Sequence, residues 1–221
     1  MHVGLSIHDE LPVRELSTSE IYRLMTDLVA PRPIAWVSTI DGRGRANLAP
    51  FSYYQAVCSS PPTIVLGIAW LPEGRPKDTL ANVLETRELT INHVSEDLIE
   101  PMNATSAAFE HGLSEWELCG VESAPAVAVA PRRVAAARAG FECRLTHAIP
   151  LGTSKLGTPS STLIVAEVVH VWVVADLLQR DGRGRVLPIE PAKLAAVGRL
   201  GGMGYTTTVG HFDLARPRDP R

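Results

Sequence analysis

The chain has 221 residues, 45% hydrophobic and 20% charged, with a formal net charge of −3. That length allows one large domain or two small ones, and the mildly acidic balance makes no electrostatic case for nucleic acid or an anionic membrane. Cys58, Cys119 and Cys143 form no Cys-x-x-Cys pair, which removes a zinc ribbon and a redox dithiol.

The opening residues include His8, Asp9 and Glu10 and lack the basic and apolar blocks of a leader. No apolar run approaches the length of a bilayer span, so a cytoplasmic location is expected. Ser17-Thr18-Ser19-Glu20 reads as a capping box, with Ile21, Leu24, Met25 and Leu28 on one helical face behind it. Pro31 and Pro33 stop that helix. Strands are expected over 34–39, 48–57 and 63–69, with Asp41-Gly42-Arg43-Gly44 as the first turn and Pro61-Pro62 restricting pairing before the third.

A helix over 79–88 and a strand over 89–94 follow. Ser95 is expected to cap a helical stretch reaching about residue 107, and Ser114-Glu115-Trp116-Glu117 is a second capping-box match. The Ala-, Val- and Pro-rich residues 121–133 fit either state. The last long strands are expected over 141–151 and 163–174. Asp181-Gly182-Arg183-Gly184-Arg185 repeats the composition of residues 41–45 and reads as another hairpin turn. Residues 1–30 form a helical lead-in and 207–221 a frayed tail. Strands dominate without regular strand–helix alternation, which predicts one domain, mainly β with inserted helices, built on an antiparallel barrel.

Two glycine-rich stretches fail as dinucleotide fingerprints. Gly42-Arg43-Gly44 leads into a strand, and Gly201-Gly202-Met203-Gly204 has no strand–helix unit after it. The seven histidines (His2, His8, His93, His111, His147, His170 and His211) form no close pair, so no metal site is expected, and His147 and His170 read as structural.

Lys77-Asp78-Thr79 admits two readings. Asp78 or Thr79 can simply cap the helix. Alternatively, the helix-start N–H groups, a hydroxyl and the Lys77 ammonium form a phosphate cradle, with Arg75 as a second cation and Ser38 and Thr39 supplying strand-end hydroxyls. Asn47-Leu48-Ala49-Pro50-Phe51-Ser52 contains a proline that cannot donate to a ladder. It is either an edge strand or bulge, or a segment whose amides face a flat heteroaromatic ring.

Taken in order, Arg32–Thr39, Asn47–Ser52, Lys77–Thr79, Asn92, Met102-Asn103-Ala104-Thr105, Glu142-Cys143, Ala166-Glu167-Val168-Val169 and Arg199-Leu200-Gly201-Gly202 with Tyr205 resemble the flavin reductase-like proteins of the FMN-binding split-barrel superfamily, the flavoredoxin-like branch above all. The resemblance implies a six-stranded antiparallel split β-barrel, a homodimer, and one FMN near each subunit interface. It would lay Ser38 and Thr39 along the flavin and phosphate. Asn47, Ala49, Pro50, Phe51 and Ser52 would line the isoalloxazine ring, Lys77, Asp78 and Thr79 would hold the phosphate, and Tyr205 would approach the flavin.

The implied activity is transfer of a hydride from NADH or NADPH to flavin N5, with electrons passed to oxygen, a partner monooxygenase or another acceptor. No catalytic side chain is required, since the flavin carries the electron chemistry. Two alternatives stand beside it: a non-catalytic FMN electron carrier reduced by a partner protein, and a barrel whose Lys-Asp-Thr is only a cap. Short reductases of two-component monooxygenases often carry Gly-Asp-His before a late strand, where this chain has Ser160-Ser161-Thr162.

Overall fold

The computed structural model describes residues 9–110 and 113–217. His2, His8 and His111, most of the opening segment and the end of the tail lie outside the described residues. Helix α1 (Thr18–Leu28) starts on the expected capping box: Ser17 Oγ accepts Glu20 N–H, and the Glu20 carboxylate accepts Ser17 N–H at 2.8 Å. Its apolar face is not buried as its periodicity suggests. Tyr22, Met25, Leu28 and Val29 are exposed, and Thr26 is the buried residue of the helix.

The strands are β1 (Arg32–Pro33), β2 (Ala35–Ile40), β3 (Ala46–Phe51), β4 (Tyr54–Ser59) and β5 (Pro62–Ala69). Then come α2 (Asp78–Thr86), β6 (Glu88–Asn92), α3 (Ile99–Ala104) after a 3-10 turn, α4 (Glu115–Leu118), and the short pair β7 (Ser123–Ala124) and β8 (Arg133–Val134). Two 13-residue strands, β9 (Ala139–Leu151) and β10 (Ser161–Val173), precede α5 (Pro191–Leu194), β11 (Val197–Arg199) and β12 (Tyr205–Thr207).

A seven-stranded antiparallel sheet runs β3-β2-β6-β9-β10-β5-β4. Its two outermost strands, β3 and β4, are consecutive in the chain and joined only through Ser52 and Tyr53, so the sheet must curl until the end of β3 lies beside the start of β4, without the two strands pairing. This explains the count of seven where six were expected. The single run read over 48–57 is two strands, and a bend at Tyr53 carries the chain from one edge of the barrel to the other. The Tyr53 carbonyl, at the crossing, accepts Gly67 N–H at 2.7 Å.

Alternation along β2 serves two cores. Ala35 and Val37 point into the barrel with Leu66, Leu80, Ile91, Leu145 and Ile164. Ile34 and Trp36 point the other way, against Leu48, Met102, Trp116 and Val197. Cys143 lies in the barrel core, where burial pushes its thiol up to about 12 and keeps it protonated.

The two Asp-Gly-Arg-Gly-Arg segments form the same turn. Asp41 N–H bonds Arg45 O and Gly44 N–H bonds Asp41 O, both at 3.0 Å; Asp181, Arg185 and Gly184 repeat this at 2.9 Å. The segment over 121–133 resolves as a loop closed by the β7–β8 pair.

A second, three-stranded sheet, β1-β11-β12, sits beside the barrel. Its β11–β12 turn packs on α1, and a Cβ at Gly201 would lie 1.5 Å from Asp27 Oδ1, so any larger residue there would make the Asp27 side chain turn away. Arg32, 6% exposed, ties the parts together: it donates to the carbonyls of Thr26 and Val29 at the end of α1, to Leu200 O (3.0 Å) and, weakly, to Ser52 Oγ (3.4 Å). No helix among the described residues is long and apolar enough to cross a membrane.

Candidate functional site

A cleft of about 500 Å³ opens along the outer edge of β3 and the start of α2. Asn47, Ala49, Pro50, Phe51, Arg75, Lys77, Asp78 and Thr79 all line it. A smaller cleft of about 150 Å³ adjoins it through the shared residues Pro50, Phe51 and Ser106, and is lined by Ser52 and Tyr205 among others. Ten of the twelve residues singled out from sequence therefore meet in one continuous depression. Ser38 and Thr39 do not. Both are fully buried behind it; Thr39 Oγ1 accepts Asn82 Nδ2 at 3.1 Å, and Ser38 Oγ has no partner.

The edge strand is built for this position. Leu48 N–H points away from β2, donating at 2.9 Å to Glu115 Oε2. Pro50, two residues on, shares that outward orientation, so its missing N–H falls where no neighbouring strand needs one. The expected row of ligand-facing amides is accordingly reduced: Leu48's is taken by Glu115 and Pro50 has none. What β3 presents to the cleft is the apolar surface of Ala49, Pro50 and Phe51.

At the other end, α2 settles the capping question in an unexpected way. Its N-cap is Lys77, with no side-chain cap bond, so neither Asp78 nor Thr79 caps the helix. The opening N–H groups of α2 thus face the cleft end without a capping side chain. Lys77 Nζ has no carboxylate within 4.0 Å among the described residues and sits 5.8 Å from the Phe51 ring centroid. Arg75 leans on Glu73 (3.0 Å) and Asp78 (3.3 Å). A dianion of phosphate size suits these donors.

Beneath them lies a group of buried polar residues. The Asn47 amide contacts Thr79 Oγ1 at 2.9 Å in either orientation, and turning its nitrogen to Glu115 Oε1 (3.1 Å) satisfies both ends. In that arrangement the Thr79 hydroxyl donates to Asn47, leaving the Thr79 backbone N–H as the residue's remaining donor at the start of α2. Burial raises the Glu115 carboxyl above its ordinary range, opposed by the Leu48 N–H, with the Asp78 charge adding to the rise.

Glu115 was read in sequence only as part of a capping box. That box does not form, because Ser114 makes no cap bond; Glu115, the first helical residue, turns inward to β3. Ser95 likewise bonds Asp97 rather than capping a helix. Asn103, Ser106 and Arg199 also border the smaller cleft; the only sequence signal for Asn103 and Arg199 was membership in quoted motifs, and Ser106 had none. Tyr205 O–H donates to Asn103 Oδ1 at 3.1 Å, which fixes the ring at the cleft wall.

Residues 28–188 match the model of the flavin reductase like domain. An uncharacterized protein of Halalkalibacterium halodurans is 36% identical over 202 residues, 91% of this chain and 93% of the relative. Among solved structures, nitrilotriacetate monooxygenase component B from Bacillus cereus superposes with a TM-score of 0.87 at 28% identity, covering 95% of this chain and all of that one. The Pseudomonas fluorescens 2-nitrobenzoate 2-nitroreductase follows at 0.80 and 28%, covering 95% of this chain and 96% of that one. With a split barrel carrying an anion-ready helix start beside an apolar edge strand, and a family match over most of its length, the chain belongs to the flavin reductase-like family.

Proposed function

We propose that this protein is an FMN-dependent oxidoreductase that takes reducing equivalents from NADH or NADPH and hands them to an acceptor or a partner monooxygenase. The observation that carries the reading is the pairing, in one depression, of an uncapped α2 start with Lys77 and an apolar wall of Ala49, Pro50 and Phe51. FMN, when bound, supplies the hydride and electron chemistry. Lys77, Arg75 and the first N–H groups of α2 would hold its phosphate. Ala49, Pro50, Phe51 and Ser52 would lie along the ring, and Tyr205 would close the far side. Ser38 and Thr39 support the β2–β3 pair from behind, and the Asn47–Thr79–Glu115 group keeps β3 and α2 in register.

The similar Bacillus cereus protein is a monooxygenase component, which supports a partner enzyme as one destination for the electrons. The FMN-loaded protein, titrated anaerobically with NADH and separately with NADPH, is expected to lose its oxidised flavin absorbance with at least one of them. A flavin that stays oxidised with both would leave the carrier role instead.

A homodimer is the second part of the proposal. Strand β4 is exposed along nearly its whole length, and Tyr22, Met25, Leu28, Val29, Tyr53 and Val57 form an uncovered apolar surface around it and α1. Surfaces of this kind mark an interface, and an exposed sheet edge needs cover. Sedimentation equilibrium is expected to give twice the 23.9 kDa chain mass. A monomer that keeps FMN through gel filtration would remove the dimer from the site.

A further inference from the structure

We propose that one end of the barrel holds a second ligand site, separate from the flavin cleft, for a neutral molecule of two fused rings bearing a single hydroxyl. The site is a cavity of about 270 Å³ beneath residues 189–197. It goes beyond the FMN reading and does not depend on it.

Its place in the sheet separates it from the flavin cleft. The larger cleft follows the outer edge of β3. This cavity is walled instead by Ile91 of β6, Phe141 of β9 and Val171 of β10, which lie beyond β2 in the strand order. None of the residues given above to FMN lines it, and among the described residues Ile34 alone borders both it and the smaller cleft.

The cavity has a fixed roof. Val197 N–H donates to Val94 O at 3.1 Å, Glu96 N–H to Ala195 O at 3.0 Å, and the Arg138 guanidinium to Lys193 O at 2.6 Å. These bonds tie the segment that carries Ile189 and Leu194 to the end of β6, so the apolar space beneath it is enclosed by bonded structure.

The wall selects the ligand. Its lining is apolar except for His93 and Tyr54, and no Asp, Glu, Lys or Arg is part of it. His93 Nδ1 is buried without a hydrogen-bond partner among the described residues, a state that costs free energy until a partner arrives. Burial, reinforced by Arg138 and opposed by Asp97, holds the His93 pKa down to about 4, so the ring is neutral at pH 7. Burial also raises the Tyr54 phenol, which keeps its proton. A hydroxyl both donates and accepts, so it satisfies His93 Nδ1 in either neutral tautomer. An ionised ligand would be buried with no counter-charge on the wall.

Size sets the number of rings. An apolar cavity of about 150 Å³ takes benzene, and the larger volume here admits a second fused ring. The competing account is that a water satisfies His93 and the space binds nothing, or that it takes any apolar molecule without regard to a hydroxyl.

The test is calorimetric titration of the full chain with 2-naphthol, naphthalene and 2-naphthoate, in the presence and absence of FMN. 2-Naphthol is expected to bind, naphthalene to bind about two- to tenfold more weakly for want of one neutral hydrogen bond, and 2-naphthoate not to bind. FMN should leave the 2-naphthol affinity unchanged. Methyl NMR signals of Val171, Val173 and Leu194 should shift with 2-naphthol. His93→Phe is expected to bring 2-naphthol and naphthalene level and to leave FMN affinity as it was.

No 2-naphthol binding, equal or tighter binding of naphthalene or 2-naphthoate, or displacement by FMN would overturn the proposal. So would a His93→Phe variant that still prefers 2-naphthol. The three-ligand comparison needs no variant, so a misfolded His93→Phe does not protect it. 2-Naphthol binding without any FMN binding would sink the flavin reading alone, and FMN binding without 2-naphthol would sink this site alone.

Discussion

Replacing Lys77 with alanine is expected to weaken FMN about ten- to a hundredfold while leaving riboflavin affinity nearly unchanged. A charge-assisted contact to phosphate contributes about 1.5–3 kcal/mol, and only FMN carries the phosphate. The variant is clean because Lys77 caps α2 through its backbone alone, so alanine removes no cap bond. The contact with the Phe51 ring, at 5.8 Å, is long and contributes at most about 0.5–1 kcal/mol at an exposed site. That loss falls on both ligands alike and cancels in their ratio. Dissociation constants from flavin fluorescence quenching for the two ligands give the answer. Equal weakening of both would make Lys77 a structural residue and move the phosphate elsewhere in the cleft.

The strand pattern was legible because each barrel strand carries its own alternation, and the Asp-Gly-Arg-Gly turn chemistry marks where β2 returns as β3. The crossing at Ser52-Tyr53 was not legible. No Gly, Asn or Pro punctuates it, although the chain bends at Tyr53 as it passes from one edge to the other. Helix starts were read by cap residue, and Ser17, Ser95 and Ser114 all stand at N-cap positions, but only Ser17 makes the cap bond. Next to Ser114, Glu115 turns to accept Leu48 N–H across the fold.

The phosphate end of the site could be found because it is contiguous in sequence. Glu115 could not be found that way. It gains its role through contacts 67 and 68 residues away, to Leu48 and Asn47. Buried apolar spacing likewise said nothing about whether α1 meets its own barrel or a second chain.

Replacing Arg133 with methionine is expected to cost about 3–5 kcal/mol of stability, because it leaves Glu142 buried without a counter-charge. Glu142 is fully buried on β9. Its carboxylate accepts Val127 N–H at 3.0 Å, Ala128 N–H, and Arg133 Nε–H at 2.8 Å, while the Arg133 guanidinium packs 4.5 Å from the centroid of the Trp172 ring. The ring has room only because residue 140 is glycine, where a Cβ would come within 2.2 Å of Trp172.

This clamp reaches the site. The loop it holds delivers Val134 N–H to Asn92 Oδ1 (2.7 Å), Asn92 Nδ2 donates to Trp36 O (3.0 Å), and Trp36 Nε1 donates at 2.9 Å to Thr105 Oγ1 on the cleft wall. Burial alone would raise the Glu142 carboxyl, but the two N–H bonds and Arg133 outweigh it and hold it below the ordinary carboxylate value. A depressed carboxyl contributes stability that is fully present above its unfolded pKa and lost as pH falls through its folded one. Removing Arg133 should therefore move acid unfolding to higher pH as well as lower the urea midpoint at neutral pH. Adding Glu142→Gln to the Arg133→Met variant removes the stranded charge and should recover part of the loss. If Arg133→Met costs under about 1 kcal/mol, or the second substitution worsens it, Val127 and Ala128 satisfy Glu142 by themselves and the ion pair does not hold the loop.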